Sequence, residues 1–184
     1  MKAYAKRSVP PSDIRRLLEP GPVILVSSAW QGKVNIMTMG WHMMMGDSTV
    51  GCFVWTADHS RRMIEKSREC VINVPTADIA RTVVGIGNTS GSRVDKFAKF
   101  GLTAVPADEV SAPLIAECYA SYECRLVNTT LAREYSLFIF DVVKGHAAAA
   151  PKYPKTIHYR GAGVFMVSGE NTSRYRRLFR PEML

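Results

Sequence analysis

What this chain lacks narrows its function first. No apolar run approaches the roughly 20 residues that cross a bilayer as a helix. There is no Gly-x-Gly-x-x-Gly fingerprint, no phosphate-loop motif and no Gly-x-Ser-x-Gly elbow, so Rossmann, P-loop and hydrolase chemistry find no anchor. No carboxylate pair and no Cys–His pair stands out as a catalytic unit. An enzyme of this kind leaves the difficult chemistry to a cofactor and uses its side chains to position it.

Cysteine is sparse as well. Cys52, Cys70, Cys118 and Cys124 show no Cys-x-x-Cys spacing. In "ECYASYECRLV", Cys118, Ala120, Tyr122, Cys124 and Leu126 alternate with Glu117, Tyr119, Ser121, Glu123 and Arg125. That period of two predicts one strand with both cysteines on its apolar face, about 20 Å apart and beyond disulfide reach. They read as small core hydrophobes in a reducing compartment. The four histidines, 42, 59, 146 and 158, have no ligand spacing among them, so no metal site is expected. The opening "MKAYAKRSVPPSDIRRLL" has basic residues but no apolar segment of the secretory kind, and a cytoplasmic setting is expected.

What is there suits one domain spanning 1–184, long enough to bury a full core, with no internal repeat. The net charge of +8 is scattered, with clusters at Arg15-Arg16, Arg61-Arg62 and the tail "SRYRRLFR". A solvated surface, an anionic small ligand, a membrane surface or nucleic acid would each account for it. Patterning predicts a short helix over Asp13–Glu19 capped by Ser12, then strands at "VILVSSA", "VNIMTMGWHMM" and "STVGCFVW". A helix follows from "HSRRMIEKSR", with Asp58 or Ser60 as cap, then the strand "CVINV" and a helix at "TADIARTVVGIG" capped by Thr76. A polar loop feeds a short helix ending at Gly101. Two long strands, about 114–131 and "EYSLFIFDVVKGHA", precede the pair "TIHYRG" and "VFMVSG". The set is mainly antiparallel β with peripheral helices, and closing it into a barrel removes exposed edges.

Three stretches are candidates for chemistry. In "NIMTMGW", Gly40 admits close backbone approach, Trp41 offers a stacking face and the methionines suit a conjugated ring. A core strand with a glycine bulge fits the same residues. In "HSRRMIEK", a helix start with Ser60 and Arg61 or Arg62 makes an anion site, or simply a capped helix with solvated arginines. In "SRVDKF", Arg93 and Lys96 follow a flexible loop that either closes over a phosphate or is only a loop.

In this order, these features resemble the flavin reductase-like, FMN-binding split-barrel family, which includes flavoredoxin. The resemblance runs from about Pro20 to about Gly169 through "GPVILVSS", "NIMTMGWHM", "SRRMIEKSRECVINVP", "DKF" and "YSLFIFDVV". It implies an antiparallel split β-barrel. It also implies flavin contacts at Asn35, Thr38 and Trp41, with backbone atoms of Met39 and Gly40 facing the ring. Ser60, where the family usually has threonine, and Arg61 would meet the phosphate, as would Lys96. Asn73 matches the family's Asn before Val-Pro, Phe165 falls where an aromatic meets the cofactor, and Trp55 and Thr56 lie beside the site. The chain departs from the pattern at Gly40 (often serine), at Tyr135 (often histidine) and across "MMMGDST".

By that resemblance the protein would bind FMN, take hydride from NADH or NADPH, and pair into a homodimer with the cofactor near the interface. A flavoredoxin-type electron carrier without nicotinamide activity is the alternative. A nucleic-acid-binding barrel would interleave exposed aromatics with basic residues along its strands. Here the aromatics lie largely in apolar runs, which disfavours nucleic acid.

Overall fold

The structure is a computed structural model describing residues 21–183. The expected helix at Asp13–Glu19 lies outside the described residues. Strands β1 (Ile24–Trp30) and β2 (Lys33–Met39) form a hairpin over Gln31 and Gly32, both at positive φ. That two-residue turn matches the right-handed twist of the strands it joins. After β3 (His42–Met44) and β4 (Thr49–Phe53) come helix α1 (His59–Ser67) and β5 (Glu69–Val74). Helices α2 (Ala80–Gly87) and α3 (Lys96–Phe100), with the short strands β6 (Ala104–Val105) and β7 (Leu114–Ile115), cover one face. Strand β8 (Ala120–Asn128), the single turn α4 (Ala132–Tyr135) and β9 (Leu137–Ala147) lead to a last hairpin, β10 (Ile157–Gly161) and β11 (Val164–Val167).

Seven strands pair antiparallel in the order β2-β1-β5-β8-β9-β4-β3. The two outermost, β2 and β3, are consecutive in the chain and joined only by Gly40 and Trp41. Three Cα steps span at most about 11 Å. A flat sheet of seven strands would hold its edges roughly 29 Å apart. The sheet therefore curls until its edges meet, and the barrel is split at the seam, where β2 and β3 do not pair. The amide of Phe53 donates to the Trp41 carbonyl at 3.0 Å and holds the seam in place.

Inside the curl, Ile24, Val26, Ile72, Cys124, Phe138 and Phe140 form the main core. Outside it, Leu25, Ile36, Val83, Ile86, Phe97 and Ile115 form a second core beneath α2 and α3. Strand β1 is buried on both faces from Ile24 to Ser28, which suits the continuous apolar run Ile24-Leu25-Val26 with which it opens. Its Ile24 and Val26 point one way and Leu25 the other.

Several expectations are corrected. The strand expected over "VNIMTMGWHMM" is two strands broken by the seam. The strand expected from 114 to 131 is interrupted between Ile115 and Ala120, so Cys118 leaves the strand and packs in the outer core. Cys124 faces the inner core as expected. Burial pushes the thiols of Cys52 and Cys118 up to about 12, so neither is a nucleophile near neutral pH. Tyr135 ends α4 instead of opening β9. Thr76 precedes a short 3-10 turn and caps nothing with its side chain.

Glu123, expected on the polar face of its strand, is fully buried. Its carboxylate accepts from the amides of Asp108, Glu109 and Val110 and from His146 Nε2 at 2.7 Å. Burial pushes this carboxyl up, but the bonds from His146 and the three amides outweigh it, and the net shift is downward. The fold thus brings Asp108, Glu123 and His146 within 4.8 Å of one another, a grouping that histidine spacing gave no hint of. Its evident work is to clamp the 108–110 loop onto β8.

Asn73 is likewise fully buried and tied on every side. Its Oδ1 accepts from Ser121 Oγ at 2.7 Å and the Ile115 amide at 3.0 Å, and its Nδ2 reaches Ser27 Oγ and the Leu25 carbonyl. One side chain therefore joins β1, β5, β7 and β8. Asn73→Ala should destabilise the protein by about 3 kcal/mol, because several buried partners lose their bond at once. Urea unfolding checks this, and a loss under about 1 kcal/mol would contradict it.

Candidate functional site

Strand β2 ends at the seam, and the seam opens a cavity of about 570 Å³. Thr38, Met39, Gly40 and Trp41 line one wall, Phe53 and Trp55 another, and residues 159–162 of the β10–β11 hairpin the third. Trp41 is held edge-on to Phe53, with ring centroids 5.1 Å apart at 69°, yet remains half exposed. Trp55 is also exposed. A Cβ on Gly40 would meet open space, so no packing in the protein demands glycine there. The wall is flat, apolar and aromatic, with backbone amides at the bend.

A second, smaller cavity of about 280 Å³ adjoins the first and shares Met37, Thr38 and Asp58 with it. It lies between β2, the start of α1 and the 87–91 loop, with Asn35, Ser60 and Lys96 in its lining. Asp58 occupies the N-cap position of α1, but its carboxylate accepts from the Trp55 amide instead of capping the helix. Burial pushes the Asp58 carboxyl up, against the Trp55 bond and the charges of Lys96 and Arg61. Ser60 lies inside the first turn, buried, and its hydroxyl accepts from Asn35 Nδ2 at 2.8 Å. First-turn amides have no partner within their own helix, and the helix dipole makes that end attractive to anions.

Two features mark this cavity as built for a ligand. Lys96 is 5% exposed, and its Nζ donates to the carbonyls of Ile36 at 2.7 Å and Ile86 at 3.0 Å. An ammonium has three N–H donors, so one is left for the cavity. Burial lowers the Lys96 pKa to about 8, with Asp58 opposing the shift. Asn35 Oδ1 is the only buried side-chain polar atom without a partner among the described residues. Rotating the amide by 180° would let Ser60 donate to Oδ1 and leave an N–H unspent instead. Either way one polar end of Asn35 awaits a partner, and such orphans are rare. Gly91 closes the loop over this amide, where a Cβ would lie 1.9 Å from Oδ1.

Of the residues the resemblance pointed to, Thr38, Met39, Gly40, Trp41 and Trp55 line the first cavity, and Asn35, Thr38, Ser60 and Lys96 the second. Asn73, Arg61, Thr56 and Phe165 line neither. Asn73 is consumed in the sheet, as described above. Arg61 turns away to Glu65 and the carbonyls of Val54 and Ala132, with its guanidinium 5.0 Å from the Phe138 ring centre. Thr56 is exposed beyond the rim. Phe165 supports Tyr159 from behind at 5.0 Å, so that Tyr159, not Phe165, reaches the cavity. The methionines divide: Met37 and Met39 meet the site, whereas Met43 and Met44 lie exposed on the edge strand. Sequence reasoning missed Asp58 and the 159–162 turn. The "YRGAG" stretch was the available signal for the second, since the positive φ of Gly161 and Gly163 marks a tight hairpin.

A curled antiparallel sheet, an aromatic slot at its seam and a small polar cavity at a helix start together define the FMN-binding split-barrel class of fold. The chain belongs to the family described as "Flavin reductase like domain", whose model matches residues 15–164. The uncharacterized protein YddH of Escherichia coli K12 is 30% identical over 174 residues, covering 86% of this chain and 92% of its own. The flavoredoxin of Desulfovibrio vulgaris (Miyazaki F) superposes with a TM-score of 0.77 at 21% identity, over 95% of this chain and 96% of that one. An FMN-binding domain of flavin reductases-like enzyme from Shewanella baltica OS155 gives a TM-score of 0.74 at 26% identity, over 90% and 95%.

Proposed function

We propose that this protein binds FMN across the two joined cavities and works as an NAD(P)H-dependent flavin oxidoreductase. The observation that carries the reading is the orphaned end of Asn35 beside the unspent N–H of Lys96, one strand step from an aromatic slot. A ring fits the slot, a polyol fits the orphan and a phosphate dianion fits the ammonium and the helix start. When bound, FMN supplies hydride acceptance from NADH or NADPH and onward electron transfer. Trp41 and the bend at Gly40 would hold the ring. Lys96 and the first-turn amides of α1 would neutralise the phosphate, and Asn35 would orient the chain between. None of these groups has to move a proton, which suits the lack of a catalytic acid–base pair.

Free thiols at Cys52, Cys70, Cys118 and Cys124 accord with a reducing cytoplasm. The broad exposed rim of Trp41, Met43, Met44 and Trp55 favours a second reading, an electron carrier docking a redox partner there. A second copy of this chain is the proposed cover for β3, where Met43 and Met44 are 53% and 63% exposed. A homodimer of about twice the 20.4 kDa chain mass is expected in sedimentation, and Met44→Glu should make it monomeric. A wild-type monomer would remove the dimer from this reading.

Purified protein should be yellow and release FMN on denaturation, and NADH or NADPH added anaerobically should bleach it. Protein that gains no flavin absorbance on FMN addition would sink the binding, while stable colour under both nicotinamides would favour the carrier. The charge of Lys96 sets the pH dependence. The site holds the dianion through protonated lysine, so affinity should fall as pH rises through about 8, by up to tenfold per unit. Below about 6 the phosphate itself takes up a proton, so binding should be tightest between the two. In Lys96→Met the upper limb should disappear, as FMN titrations followed by flavin fluorescence would reveal.

A further inference from the structure

Two groups of exposed basic residues stand out. Lys33 of β2, Arg62 and Arg93 border a third cavity, of about 680 Å³, which shares His59 and Gly91 with the second and continues the site already described. The other group lies in the tail "SRYRRLFR", which the proposed function leaves unused.

The tail leaves the fold at Ser168, whose amide donates to the Thr156 carbonyl at 2.9 Å and whose hydroxyl accepts from the Thr156 amide at 2.9 Å. Beyond it every residue from 169 to 182 is exposed, and none joins either core. From 173 to 182, Arg174, Arg176, Arg177 and Arg180 stand against one acid, Glu182, which pairs with Arg180 at 3.8 Å in an exposed contact. Arg174 lies over the ring of Tyr175 at 4.5 Å. Among the described residues, the side chains of Arg176 and Arg177 have no partner. Apolar side chains stand between these cations. Tyr175 is 48% exposed, Leu178 73% and Phe179 52%, and Leu178 is the most exposed large apolar side chain among the described residues. Arg176–Leu178 forms a 3-10 turn, in which positions three apart eclipse, so Tyr175 and Leu178 share one side of it.

We propose that this tail is a docking segment for an anionic phospholipid surface. The arginine forks pair with lipid phosphates, while Tyr175, Leu178 and Phe179 enter the boundary between headgroups and acyl chains. Nucleic acid offers the arginines the same phosphates and gives Tyr175 and Phe179 bases to stack on, but it has nothing for Leu178. A lipid surface takes all three apolar side chains out of water, and that difference decides between the two. No helix among the described residues is long and apolar enough to cross a membrane, and surface docking requires none. One short basic and apolar segment gives a reversible attachment that salt weakens. The inference stands apart from the flavin reading and does not need it.

The test is co-sedimentation of the full chain with vesicles of phosphatidylcholine alone and of phosphatidylcholine mixed with phosphatidylglycerol, at low and high salt. Wild type should partition into the mixed vesicles roughly tenfold or more above the neutral ones at low salt, and high salt should release it. Arg176→Glu/Arg177→Glu and Leu178→Ser/Phe179→Ser should each lower that partitioning by about tenfold or more. Both should leave the urea midpoint unchanged, because no tail residue joins a core. Equal binding to the two vesicle types, no binding to either, or a variant that partitions like wild type would overturn the proposal. A serine variant that keeps its vesicle binding, with wild type shifting single-stranded RNA in a gel, would overturn it in favour of nucleic acid. A variant that turns a wild-type dimer into monomers without vesicles present would overturn it in favour of a subunit contact.

Discussion

The two residues between β2 and β3 are the constraint on which the rest depends. Because Gly40 and Trp41 must bridge the opposite edges of a seven-stranded sheet, the sheet has no flat arrangement open to it. Curling makes an inside for the Phe138 and Phe140 core and an outside for α2 and α3. It also leaves a seam without ladder bonds. Backbone there is free to face a ligand, and side chains such as Trp41 stand half in solvent because no neighbouring strand covers them. The aromatic slot follows from the closure of the barrel.

The buried polar groups sort into two kinds, and the difference separates scaffold from site. Asn73 and Glu123 are saturated: each satisfies four or more partners and fastens a loop or strand to β8. Asn35 and Lys96 are not. One has an end without a partner, and the other spends two donors of three. Leaving a buried polar group short costs on the order of 1–3 kcal/mol unless something arrives to satisfy it. A fold that accepts this at two neighbouring positions is prepared for a polar, anionic guest. The depressed pKa of Lys96 is the same preparation seen as a titration, since burial disfavours the ammonium until an anion restores it.

Much of the architecture was legible along the chain. Apolar stretches bounded by turn residues located β1, β4, β5 and the last hairpin, and the stop at Gly101 ended α3 as expected. The stretch around Thr38 to Trp41 and the start of α1 stood out as candidate ligand contacts before any geometry was known, and both line cavities. Boundaries misled where tertiary packing overrode local pattern. Tyr135 sits in a β-rich sequence but turns as α4. Glu123 reads as outward and polar, yet the 108–110 loop folds back and buries it.

What the sequence determined by itself was the alphabet of elements and a short list of candidate site stretches, because strand and helix signals, helix stops and residue type are local properties. It could not decide which of two equivalent-looking residues lines a cavity. Ser60 does and adjacent Arg61 does not; Tyr159 does and Phe165 stands behind it. Those assignments turn on a rotation of about 100° along a helix or on the side of a hairpin, and only the closed barrel sets which way each one points. The joining of three cavities along β2 is likewise invisible in sequence, since each has walls from distant segments, Thr38 and Tyr159 in the first, Asn35 and Lys96 in the second, Lys33 and Arg93 in the third.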